Sequence, residues 1–104
     1  MSDGEFGFKT GDLEIINAAV SGFPEIKKAV IFGSRAKGNY KPGSDVDIAV
    51  WTTDADTLGK LYVALNDDTL LPYKFDILNY DTINNPDLKQ QIDVSGVEIY
   101  ISQQ

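Results

Sequence analysis

Residues Gly33 to Asp47 read GSRAKGNYKPGSDVD, and the length of this stretch decides how the chain around it can fold. Before it, Lys28 to Gly33 (KAVIFG) is a short apolar run suited to a buried strand. After it, Asp45 to Trp51 (DVDIAVW) alternates polar and apolar residues, as a half-buried strand does. Between them, Ser34 to Lys37 suits one helical turn, and Gly38 to Gly43, with Pro42, a loop. Only ten residues separate Ser34 from Asp45, which is short for a crossover returning to a parallel neighbour. The two strands are therefore expected to be antiparallel. Gly33, at the end of the first, then lies beside Asp45, at the start of the second.

Outward from this pair the pattern continues as alternating helices and strands. Met1 to Gly11 (MSDGEFGFKTG) has three Gly and no sustained period, and reads as a flexible tail before a single domain over residues 12–104. Asp12 is placed to cap a helix carrying Leu13, Ile16, Ala19 and Val20 on one face. Asp54 or Thr57 can cap another, running through Leu58, Leu61, Val63 and Leu65 to about Asn66. Tyr73 to Tyr80 (YKFDILNY) reads as a third strand, and Pro86 suits the first position of a last helix, PDLKQQID. A final strand runs from Val97 to Ile101. About 20 residues separate the second and third strands, enough for a helical crossover and a parallel pair. The expected architecture is an α/β (α+β) domain of order α-β-α-β-α-β-α-β, a mixed four-stranded sheet covered by helices.

Composition narrows the chemistry. The 104 residues contain no Cys and no His, which excludes disulfides, thiolate metal sites and imidazole bases. Acid–base or metal chemistry falls to Asp, Glu, Lys, Tyr or Ser. With 16 acidic and 9 basic residues the net charge is −7, so direct nucleic-acid binding, which needs a basic face, is not expected. No apolar run approaches the length of a bilayer span and no signal-peptide pattern opens the chain, so a soluble, cytoplasmic protein without membrane contact is expected.

Asp45 and Asp47 lie two positions apart on a strand, so both point to one face while Val46, Ile48 and Val50 point to the other. Two bare carboxylates some 6–7 Å apart repel by roughly 2–3 kcal/mol at an effective dielectric near 20. A cation would offset that, and oxygen ligands without sulfur or imidazole suit magnesium. The plain alternative is a solvated strand end that resists edge pairing. Gly33 lets the backbone approach a ligand, and Ser34 can offer hydroxyl and N–H to a phosphate or simply cap the next turn. Asp76, within KFDIL, shares no face with Phe75 and Ile77. Next to the second strand it would face Asp47, complete a metal site and accept a proton from an attacking hydroxyl. Its alternative is an ion pair with Lys74.

The Gly-Ser step, ten residues, Asp-x-Asp and a third Asp in a later strand together resemble the minimal nucleotidyltransferase (MNT) domain of the DNA polymerase β-like superfamily. The resemblance covers the chain from about Leu13 to Ile101, including IDVSGVEIYI over residues 92–101, which is similar to the family's last helix and strand. It implies the nucleotidyltransferase fold, with Gly33 and Ser34 on the triphosphate and Asp45, Asp47 and Asp76 as catalytic, metal-holding carboxylates. Arg35 falls where the family often has Arg and is grouped with the nucleotide-binding residues, its contact to nucleotide or to an acidic neighbour left open.

The resemblance further implies a two-magnesium displacement on a nucleoside triphosphate, with ATP as the expected substrate. Larger members of the superfamily append domains that clamp the nucleotide or recognise RNA or DNA; with this sequence ending just after its fourth strand, acceptor specificity is expected to come from a separate partner or from the domain's own small surface. MNT proteins of this size resemble antitoxins that attach AMP to a tyrosine of a HEPN-domain toxin. A non-catalytic antitoxin that masks a basic ribonuclease surface is the rival reading. A small-molecule nucleotidyltransferase of the aminoglycoside type is a weaker third.

Overall fold

Ten residues between Ser34 and Asp45 do force a return beside the outgoing strand. β1 (Lys28–Phe32) and β2 (Val46–Trp51) pair antiparallel, Lys28 opposite Trp51 and Phe32 opposite Asp47. The longer connection after β2 holds α3 (Ala55–Asn66) and delivers β3 (Phe75–Asn79) parallel to β2. β4 (Val97–Ile101) joins the other edge of β1 antiparallel, with an irregularity at Ala29 and Val30. The sheet order is β3-β2-β1-β4, and the mixed four-stranded sheet is the one expected. This computed structural model describes residues 5–38, 40–41 and 43–102.

Strand alternation sorts the apolar side chains onto two faces. On one, Ala29, Ile31, Val46, Ile48, Val50 and Phe75 are buried with Ile16 and Val20 of α1 (Asp12–Ser21) and Leu61 and Leu65 of α3. Val63, at 46% exposure, points away from that core despite its place in the expected apolar run. On the other face, Val30, Phe32 and Ala49 pack with Ile92 of α4 (Pro86–Ser95). This second core ends at Trp51, stacked on Tyr80 with ring centroids 4.5 Å apart. The ammonium of Lys28 lies 4.8 Å from the Trp51 ring centre, and that of Lys89 lies 4.9 Å from the ring of Tyr80.

Helix starts follow local chemistry where a cap is present. The Asp54 carboxylate accepts the Asp56 N–H ahead of α3, and Asn85 accepts those of Asp87 and Leu88 with Pro86 as the first helical residue of α4. The cap expected at Asp12 is corrected. Gly11, with φ 92°, makes the entry turn, which places Asp12 inside α1 as its first residue. Its carboxylate turns back to accept the Lys9 N–H at 2.9 Å and the Tyr73 hydroxyl.

The flexible tail over Met1–Gly11 is also corrected in its described part, from Glu5 onward; Met1 to Gly4 lie outside the described residues. Phe6 and Phe8 are only 8% and 3% exposed, and Phe8 packs on Tyr73 in a tilted pair with ring centroids 5.1 Å apart. Gly7 between them has φ 76°, and a Cβ there would sit 2.5 Å from the Tyr40 ring. Two aromatic anchors around a glycine carry no helical or strand period, so burial rather than periodicity holds this segment. Truncation of Phe8 to Ala is expected to cost about 3–5 kcal/mol in denaturant unfolding, as for a core aromatic. A true tail would give a change within about 0.5 kcal/mol.

Candidate active site

The parallel ladder places Asp47 directly beside Asp76, with adjacent strands about 4.8 Å apart. Asp45 lies two residues upstream of Asp47, just before β2. Because Phe32 opposes Asp47 across β1 and β2, the next residue, Gly33, falls at the same end of the sheet. Gly33 has φ 80° and ψ −154°, a region essentially closed to other residues. A Cβ at Gly33 would also lie 2.4 Å from Asp47 Oδ2. Glycine is therefore required here twice over, by backbone conformation and by the carboxylate packed against it. α2 (Ser34–Lys37) starts at once, and the first amides of a helical turn have no carbonyl partner within it. Ser34 caps nothing: among the described residues its hydroxyl has no hydrogen-bond partner.

The like charges act on one another. Burial raises the pKa of Asp47 above the ordinary 3.8, and the carboxylates of Asp76 and then Asp45 raise it further. Asp45 and Asp76 are exposed. Among the described residues Lys74 makes no ion pair with Asp76, so that alternative does not account for the carboxylate. Among the described residues no three carboxylates already surround one point as a metal cage. Magnesium does not demand such a cage, since it is commonly held through one or two carboxylates plus waters and substrate phosphates. A donor set of hard oxygens with uncompensated repulsion, against a glycine that leaves room for Asp47, fits that mode of binding.

Arg35 departs from expectation. Its side chain is 4% exposed, and it donates to the carbonyls of Ser44 and Phe6 rather than standing open to a nucleotide or an acid. Of the two contacts left open for Arg35, nucleotide or an acidic neighbour, no hydrogen bond to an acidic side chain is present among the described residues. Its position beside Ser34 suggested phosphate, but the turn of α2 carries it inward onto Phe8, Tyr40 and Tyr73. Lys37, exposed, is the other basic side chain of α2.

Over residues 14–104 the chain matches the family described as polymerase beta, nucleotidyltransferase. The chain belongs to the polymerase beta nucleotidyltransferase family. None of the curated proteins compared with it matches by sequence. Among solved structures, it is similar to a chain of a toxin–antitoxin crystal structure with AMP-PNP, at TM-score 0.72 and 24% identity, covering 89% of this chain and 76% of that one. It is also similar to a chain in the structure of a tri-AMPylated Shewanella oneidensis HEPN toxin in complex with MNT antitoxin. There the TM-score is 0.59 and the identity 20%, over 88% of this chain and 75% of that one. A nucleotidyltransferase structure from Sulfolobus solfataricus aligns at TM-score 0.53 and 20% identity, over 88% and 78% of the two chains. At these identities the likeness is one of fold.

For a polymerase beta nucleotidyltransferase, a carboxylate on an edge strand needs its backbone held, and sequence reading missed how. β3 is the sheet edge. Asn66, at the end of α3, accepts the Phe75 N–H at 2.9 Å and donates to the Phe75 carbonyl at 3.2 Å. One amide side chain thus satisfies both polar groups that the edge would leave open, one residue before Asp76. The partner is nine residues away across a turn, and only the adjacency of the α3 end to β3 signals it.

Two outcomes follow from this geometry. Asn66→Ala leaves the Phe75 edge groups without that partner and is expected to cost about 1–3 kcal/mol, read by denaturant unfolding. For Asp47, the folded state holds a proton that the unfolded state releases, in the window from pH 3.8 up to its raised pKa. In chelator, wild-type stability is therefore expected to fall by this contribution as pH rises through the window. Asp47→Asn should lack that component of the slope and be no less stable at neutral pH; an unchanged slope would refute the raised pKa assigned to Asp47.

Proposed function

We propose that this chain transfers AMP from ATP to a hydroxyl of a partner protein, a tyrosine of a HEPN-family toxin, and so acts as that toxin's antitoxin. The observation that carries the reading is the alignment of Asp47 with Asp76 beside the glycine-only turn at Gly33. Membership of a nucleotidyltransferase family supports it, as do fold neighbours solved with AMP-PNP and with an AMPylated toxin. A cytoplasmic setting belongs to the same proposal; among the described residues no helix is long and apolar enough to cross a membrane.

In this reading Gly33 and Ser34 take the triphosphate, with the Ser34 hydroxyl and the first amides of α2 as donors. Asp45 and Asp47 hold divalent cation at the phosphates, two ions in all, with Asp76 at their side. Magnesium, when bound, supplies positive charge against the phosphate oxygens and eases loss of the acceptor proton. The acceptor hydroxyl oxygen forms its bond to the α-phosphorus while the bond from that phosphorus to the pyrophosphate oxygen breaks. Pyrophosphate leaves, and the hydroxyl proton passes to the carboxylate of Asp76. The exposure of Asp76 suits contact with an acceptor delivered from outside the chain.

A binding-only antitoxin has one observation in its favour, the net charge of −7, which would complement a basic RNA-cutting surface. The two readings separate in one experiment. The protein is incubated with labelled ATP, magnesium and the HEPN protein encoded beside it. Label is expected on a toxin tyrosine, and Asp47→Asn should lower its rate on the order of 100-fold or more, the scale for loss of a preorganised charge-stabilising group. An Asp45→Asn/Asp47→Asn double variant that still silences the toxin, without label, would establish masking instead.

A further inference from the structure

Arg35 is the one buried basic side chain among the described residues. No carboxylate accepts from it in the hydrogen bonds that hold it. Nε and Nη2 both reach the Ser44 carbonyl, at 3.1 and 2.8 Å, and Nη1 reaches the Phe6 carbonyl at 2.8 Å. The guanidinium lies 5.8, 5.3 and 5.0 Å from the ring centres of Phe8, Tyr40 and Tyr73. Burying a cation against carbonyls and ring faces is a costly way merely to fill space, since an apolar side chain of similar volume does so without desolvation. What the guanidinium adds is a forked grip on one carbonyl. Ser44 precedes Asp45, and its loop is also closed on itself, by the Ser44 N–H to the Lys41 carbonyl and the Lys41 N–H to Ser44 Oγ.

We infer that Arg35 is a positioning residue of the active site. Its fork fixes the peptide from which Asp45 projects, and its third bond makes that fix depend on the amino-terminal segment around Phe6. Gly7 belongs to the same device: a Cβ there would meet Arg35 Nη1 at 2.7 Å, so the segment lies closed on the guanidinium. The inference rests on the proposed use of Asp45 as a cation ligand, and the test is arranged so that the two can fail separately.

Mn2+ binding is titrated by electron paramagnetic resonance in the presence of AMP-PNP, alongside denaturant unfolding of the same proteins. Arg35→Lys keeps the charge but loses the fork, and is expected to raise the Mn2+ half-saturation about 10-fold or more, the range for groups that orient metal ligands. Phe8→Leu loosens the rings beneath the guanidinium without removing its bonds. It should lower stability and leave the half-saturation unchanged. Overturning results are an Arg35→Lys protein that loses stability alone, or a Phe8→Leu protein whose Mn2+ binding weakens as much. Wild-type protein that binds no Mn2+ removes the cation-ligand reading, and this one with it. Should Arg35→Lys fail to fold, Gly7→Ala decides, since its Cβ would press on Arg35 Nη1: a raised Mn2+ half-saturation supports the inference, and an unchanged one overturns it.

Discussion

In the parallel ladder between β2 and β3, backbone hydrogen bonds set Asp47 against Asp76, and neither can move away without breaking the register. A slip of β2 by one residue would turn Asp47 into the core and Val46, Ile48 and Val50 out of it. Those three side chains and Phe75 are fully buried, worth roughly 6–12 kcal/mol together at 1.5–3 each. Repulsion between two charges some 5–6 Å apart is about 3 kcal/mol at an effective dielectric of 20. Packing therefore wins, and the pKa of Asp47 is raised, by its burial first and then by the neighbouring carboxylates. The molecule stores an unfavourable contact at one end of its sheet because the other face of the same strands pays for it, which is the usual way a fold sustains a site.

Around that contact each carboxylate is held by a different neighbour. Asp47 is wedged by the backbone of Gly33. The strand of Asp76 is clasped by the Asn66 amide from α3. The peptide before Asp45 is gripped by Arg35. All three supports act through backbone or through a side chain from another element, and Asp45 and Asp76 remain exposed.

The parts legible in the sequence were those governed by length and alternation. Ten residues between Ser34 and Asp45 dictated the antiparallel pair, and the longer crossover after Trp51 allowed the parallel one. With both orientations known, Gly33, Asp45, Asp47 and Asp76 had to share one end of the sheet. Illegible parts depended on partners distant in the chain. Phe6 and Phe8 bracket a glycine and show no period, and only Tyr40 and Tyr73 closing over them reveal a core. Asp12 looks like a cap until Tyr73, 61 residues on, claims its carboxylate. Arg35 beside a phosphate-type turn looks like an anion ligand, and nothing local states that two loop carbonyls will claim it instead. Side-chain-to-backbone bonds over long separations leave no pattern in a single sequence.

The same strand that carries Asp47 ends at Trp51, the only tryptophan of the chain, four residues and thus about 13 Å farther along. Its indole is half-buried, flanked by Tyr80 and Lys28 at the margin of the small core under α4. The intrinsic emission of the protein is thereby a gauge of whether the sheet is assembled, while what happens among the carboxylates lies beyond its direct view. Optical signals from the two ends of one strand are separable by construction, and a chromophore introduced on α2 would report the end that the indole leaves dark.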